Sequence, residues 1–177
     1  MRMTNIQDCE LTTDDRRLKK GAQMWGGPDD LVEMLRATPV VLRTLVRGVG
    51  DEGARVAPGE GDWSVVQVAA HLADADEKAL DRIARMTGED EPVIEGYDQV
   101  ALAERRRYRE MNLAEVLDRF ERLRAQRVAE LESLEDTAWG RTGRHTQEGV
   151  ITLYQLTAHM CKHDAVHLAQ IARIVGR

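Results

Sequence analysis

The sequence predicts an all-α protein built as a four-helix bundle, and three observations lead there. Ala, Leu, Glu and Arg dominate, while aromatics make up only 4% of the 177 residues, a balance that favours helices over sheets. Four long stretches carry apolar residues three and four positions apart, the period of an amphipathic helix. Three of these stretches open on Ser, Asn or Thr with Gln or Glu three positions later, the signature of a capping box.

The elements follow in order. Residues 1–28 read as a polar N-terminal extension with one short helix around Asp14 to Trp25, and 29–177 as the bundle domain. Helix one begins near Asp29 with Leu31, Met34 and Leu35. Pro39 lacks an amide hydrogen, so the expectation is a kink or restart there, with Thr38 as cap. Gly48 and Gly50 close that helix, and Gly50 to Asp62 reads as a loop. Helix two starts at the Ser64/Gln67 box, with Trp63 stapled on Val68, and stops at Gly88. A long crossover with a short helix in it spans Glu89 to Met111. Asn112 and Glu115 then open helix three, which carries Val116, Leu117, Phe120, Leu123, Val128 and Leu131. Glu135 to Val150 reads as a loop, after which the Thr152/Gln155 box and the Ile151–Leu156 staple start helix four. The long second connection allows helices two and three to run parallel, giving up-down-down-up order.

Composition narrows the function. With 42% hydrophobic and 32% charged residues, the chain is an ordinary globular one. A net charge of −6 argues against a sequence-independent grip on nucleic acid. No apolar stretch spans a bilayer, the start MRMTNIQDCE has no signal-peptide core, and two cysteines build no disulfide framework, so the expected location is the cytoplasm.

The histidines carry the chemistry. His159, His163 and His167 recur every four residues on helix four, each step advancing about 400°. The apolar seam reads Leu153, Leu156, Met160, His163, His167, Gln170, Ile174, so His163 and His167 fall in core positions and His159 just off them. Two imidazoles in a core need partners, and a divalent metal is one way to satisfy them. His71 is the histidine that helix two offers as third ligand. Three neutral imidazoles leave an open coordination position, which suits catalysis more than a closed structural site. Spacing alone leaves a second reading open, in which these are core histidines hydrogen-bonded to Asp74, Gln170 or backbone.

Trp63-Ser64-Val65-Val66-Gln67 leading into His71-Leu72-Ala73-Asp74 resembles the second-helix motif of the DinB-like superfamily. Gly149-Val150-Ile151-Thr152-Leu153 leading into His159, then His163-Asp164-Ala165-Val166-His167-Leu168-Ala169-Gln170-Ile171, is similar to its fourth-helix motif. The resemblance spans Asp29 to Arg177. It implies a four-helix bundle, often a homodimer, with one divalent metal on His71, His163 and His167. Zinc is the expected ion, with nickel or iron as alternatives. Some members of the family are bacillithiol- or mycothiol-dependent transferases, and the mycothiol-dependent maleylpyruvate isomerase has a similar domain. The resemblance therefore implies a metal-dependent enzyme that activates a low-molecular-weight thiol or water against a small electrophile. The rival is a non-catalytic metal-binding bundle, a sensor or assembly module.

Asp74, His159 and Gln170 are the candidate helpers, to orient an imidazole, line the pocket or hold a ligand ring. Asp164 points about 100° from His163 and is expected at the surface. Cys161 lies about 200° from His163, so it is read as a small buried hydrophobe rather than a ligand. His145 sits in the glycine-rich loop and is not expected to ligate. Arg105-Arg106-Arg107-Tyr108-Arg109, flanked by Glu104 and Glu110, reads as a solvated helix surface.

Overall fold

The computed structural model describes residues 26–176. The expected N-terminal extension, its short helix and Cys9 lie outside the described residues, apart from the Gly26–Pro28 junction.

Four long helices form the bundle: α1 (Pro28–Leu45), α3 (Val65–Gly88), α5 (Leu113–Glu132) and α6 (Leu153–Val175). Cross-helix contacts give their directions. Leu31 meets Cys161 and Thr38 meets Asp164, so α1 and α6 run parallel. Asp74 meets Arg119 and Asp76 meets Arg127, so α3 and α5 run parallel as well. Arg36 pairs with Glu132 and Arg43 with Asp118, which makes α1 antiparallel to α5. The order is up-down-down-up, as the long crossover suggested.

Local signals set the helix starts. The Thr152 amide donates to Gln155 Oε1 at 2.8 Å and the Gln155 amide to Thr152 Oγ1 at 3.1 Å, a complete capping box. At α3, the Ser64 amide and hydroxyl both donate to Gln67 Oε1, at 3.1 and 3.0 Å. Asn112 Oδ1 accepts from the Glu115 amide at 3.0 Å. At α1, Pro28 opens the helix and the Gly27 amide donates to Asp30 Oδ2 at 2.8 Å.

Several connections carry more structure than the sequence suggests. The Gly50–Asp62 segment contains α2 (Asp51–Arg55). The crossover contains strand β1 (Val93–Ile94), the expected short helix as α4 (Gln99–Arg105), and a 3-10 turn at Tyr108–Glu110. The Glu135–Val150 segment is no plain loop. It holds a 3-10 turn at Asp136–Gly140 and the hairpin of β2 (Thr142–His145) and β3 (Gly149–Thr152). β2 lies between the other two strands, parallel to β1 and antiparallel to β3. Short pairings of this kind carry little hydrophobic periodicity, so the sequence does not announce them.

Pro39 does not restart α1. The helix runs through it, with Pro39 buried. A proline cannot donate to the carbonyl four residues back, and that carbonyl, Leu35 O, accepts instead from Arg124 Nη1 at 2.8 Å. The Thr38 hydroxyl is not a cap either; it lies between Met34 O (3.2 Å) and Asp164 Oδ2 (3.1 Å).

Asp164 is also buried, not on the surface, and only 2% exposed. Helix α6 packs on both α1 and α3, so its buried arc is wide enough to take in a residue 100° from His163. Arg124 reaches Asp164 and Asp76, both at 2.7 Å, and Arg127 reaches Asp76 at 2.7 Å. Two guanidiniums and two carboxylates thus cancel inside the bundle. Arg124 alone contacts α1, α3 and α6 from α5. One apolar cluster packs at the α3 N-terminal end around Val66, Leu72 and Phe120. The other packs around Ile83, Met86 and Leu156. The charged layer lies between them, beside the histidines.

Candidate metal centre

His71 comes from the second turn of α3, and His163 and His167 from one face of α6. Because these helices are antiparallel neighbours, the three rings converge. One nitrogen from each lies within 4.8 Å of the other two, and all three residues are buried. His71 Nε2 and His163 Nε2 are 2.9 Å apart. The ring centroids stand 4.4 Å apart for His163 and His167 and 4.8 Å for His71 and His167. Trp63 closes one side, its ring edge-on to His71 at 5.3 Å.

Burial, and then the neighbouring imidazoles, hold the His71 ring well below the usual histidine range. The same causes push His167 down to about 4. Both rings are therefore neutral at pH 7, the form that donates a lone pair. His167 Nδ1 lies 2.9 Å from Gln170 Oε1, which can only accept there, so Nδ1 carries the hydrogen and Nε2 is free. Gln170 is thus the partner that orients His167.

Hydrogen bonds alone leave His71 and His163 incompletely satisfied. Among the described residues, His71 Nδ1 has no hydrogen-bond partner, and His163 Nδ1 only approaches Asp164 Oδ1 at 3.8 Å, too far for a hydrogen bond. Two neutral rings meeting Nε2 to Nε2 share one hydrogen at most. A divalent ion accepts lone pairs from all three rings at once, which hydrogen bonds among them cannot do. The donor set therefore fits such an ion, with the all-nitrogen ligation that suits zinc, nickel or iron.

The helpers separate. Asp74 orients no imidazole: its carboxylate accepts from the Tyr108 hydroxyl and from Arg106 and Arg119 Nη1, both at 2.6 Å. That also corrects the reading of the Arg105–Arg109 run, since Arg106 pairs with Asp74 and Glu77 and Tyr108 is fully buried. His159 lines a cavity of about 370 Å³ that also reaches His71 and His163. Burial pushes the His159 ring down to about 4, and its Nδ1 has no partner among the described residues. His145, at the end of β2, lines the same cavity and is not part of the cluster of three. Cys161 donates weakly to Leu31 O at 3.5 Å, and burial raises its thiol to about 11, which suits a packing role. Sequence reasoning did not single out Arg124 or Arg127; two arginines on the buried face of α5, three apart, were the available signal.

A family model for the DinB superfamily matches residues 34–171. The chain belongs to the DinB superfamily. A relative from Geobacillus kaustophilus is 32% identical over 153 residues, 86% of each chain, and carries the name "Putative metal-dependent hydrolase". YfiT of Bacillus subtilis, which bears the same description, is 26% identical over 155 residues, 84% of this chain and 85% of the relative. The solved YfiT structure, described as "a probable metal-dependent hydrolase with an unusual four-helix bundle topology", matches with a TM-score of 0.77. That match covers 83% of this chain and 85% of YfiT at 26% identity. The DinB fold of this chain thus places its histidine cluster in the same bundle architecture.

Proposed function

We propose that this DinB-superfamily protein binds one divalent metal ion, zinc first, through His71, His163 and His167, and uses it for hydrolysis of a small electrophilic substrate. The observation that carries the reading is the convergence of three buried imidazoles, two of which, His71 and His163, also line an open cavity. The names of the relatives support the hydrolytic version.

A bound divalent ion supplies Lewis acidity and a nucleophile of lowered pKa. The protein supplies the rest. Gln170 holds the His167 tautomer. Trp63 and the apolar cluster around it keep bulk water from one side of the rings. His159 is the neutral ring beside the triad on the cavity wall, where it lines the space open to a substrate. The cavity of about 370 Å³ is far larger than a water, so a low-molecular-weight thiol fits the same position as an alternative nucleophile.

Metal analysis of tag-free protein tests the proposal, coupled to a screen of ester, amide and thiol-conjugation substrates. One zinc per chain and turnover that is lost in His71→Ala support it. Full metal loading in His71→Ala contradicts the ligand set, and full loading without turnover on any substrate favours the non-catalytic bundle.

A further inference from the structure

The cavity extends well beyond the triad. On α3 its wall is formed by His71, Ala75, Lys78 and Arg82, spaced 4, 3 and 4 residues apart on one face. Arg82 therefore sits about 16 Å along the helix axis from His71. A long side chain on a helix tends to lean toward the helix N-terminus, which would bring the guanidinium to about 10 Å from the histidines.

The groups at that end are donors. Among the described residues Arg82 forms no ion pair; its Nη2 donates to Glu95 O at 2.8 Å, leaving the rest of the fork uncommitted. Burial pushes the Arg82 guanidinium downward, against the opposing pull of Tyr97 and Asp81. Lys78 Nζ lies over the Tyr97 ring, 6.0 Å from its centroid. His145 Nδ1 accepts from the Gln147 and Glu148 amides, each at 3.3 Å, so its hydrogen sits on Nε2 as a further donor. Burial keeps that ring neutral. Of the cavity's carboxylates, Asp98 is committed to capping α4 through the Val100 and Ala101 amides.

We propose that this end of the cavity is an anion subsite in which Arg82, flanked by Lys78 and the His145 Nε2–H, receives a carboxylate of the substrate. A planar guanidinium matches a carboxylate through paired hydrogen bonds, which a lone ammonium does not. The substrates are then elongated acids, with the carboxylate at Arg82 and the reacting bond at the triad; this last placement rests on the function proposed above.

The test is a titration of the full chain with suberate, a linear dicarboxylate long enough for the span, read by ¹H–¹⁵N NMR at Arg82 Nε and the His145 ring. It is run on metal-free and on zinc-loaded protein. Shifts at both side chains in the metal-free protein are expected. So is at least tenfold weaker binding in Arg82→Met, with Arg82→Lys in between, and no shift with octane-1,8-diol, the neutral molecule of equal length. Silent Arg82 and His145 signals in the wild type, or unchanged affinity in a folded Arg82→Met, would overturn the subsite. Inorganic phosphate saturating Arg82 at lower concentration than suberate would overturn the carboxylate assignment. Failure of the metal reading shows separately, as suberate binding no tighter with zinc than without it.

Discussion

Arg124 shows how much one side chain decides in this protein. It holds Asp76, Asp164 and the carbonyl that Pro39 cannot satisfy, while 1% exposed. Removing one partner of a buried ion pair strands the other, so Arg124→Met should lower unfolding free energy by about 3–5 kcal/mol, read from the urea midpoint. A change under about 1 kcal/mol would mean that water already shares the site. Gly143 matters for space. A Cβ there would lie 2.9 Å from Ile94 Cγ1 and 3.2 Å from Met86 Cγ. Gly143→Ala should therefore cost about 1–3 kcal/mol by forcing β1 away from β2. At the site, Gln170→Leu removes the acceptor for His167 Nδ1 and should weaken zinc binding about 10–100-fold with the fold intact. An unaltered zinc affinity would show that Gln170 only packs.

At the scale of the element, α6 joins the sequence signals to the site. Its capping box fixes where the helix starts, and the start fixes which face His163 and His167 share with Met160. Thr152→Ala should lower stability by about 1 kcal/mol, seen as a small drop in Tm at unchanged helix content. The long helices, the parallel pairing of α3 with α5 and the gathering of His71 with His163 and His167 were legible because period and capping are local properties. The burial of Asp164 was not, since it depends on Arg124 arriving from α5, and no periodicity in α6 records that. Pro39 misled for the same reason: a local rule predicts a break, and a guanidinium from another helix removes its cause. The hairpin escaped because four-residue strands rich in Gly and Thr give little alternation.

Across the whole molecule, two helix pairs are locked by a neutralised charge layer and carry beside it a cluster of buried histidines. That arrangement has a pH signature. In metal-free protein His159 and His167 have pKa values of about 4, below the free value near 6.5, so the unfolded chain binds more protons between those limits. Their contribution to stability is complete above pH 6.5 and is lost as pH falls toward 4, at about 1.4 kcal/mol per pH unit for each ring. Urea melts of metal-free protein at pH 7.5 and pH 5 should show that decline, and equal midpoints would show that the rings are already hydrated. Zinc, by fixing the neutral form, should raise Tm at pH 7 and steepen the loss on acidification. The most direct test of the central claim is zinc K-edge X-ray absorption on tag-free, zinc-loaded protein. A first shell of nitrogen and oxygen at about 2.0–2.1 Å, with three imidazoles that fall to two in His71→Ala, is the predicted result. A sulfur ligand, or the same imidazole count in His71→Ala, would contradict it.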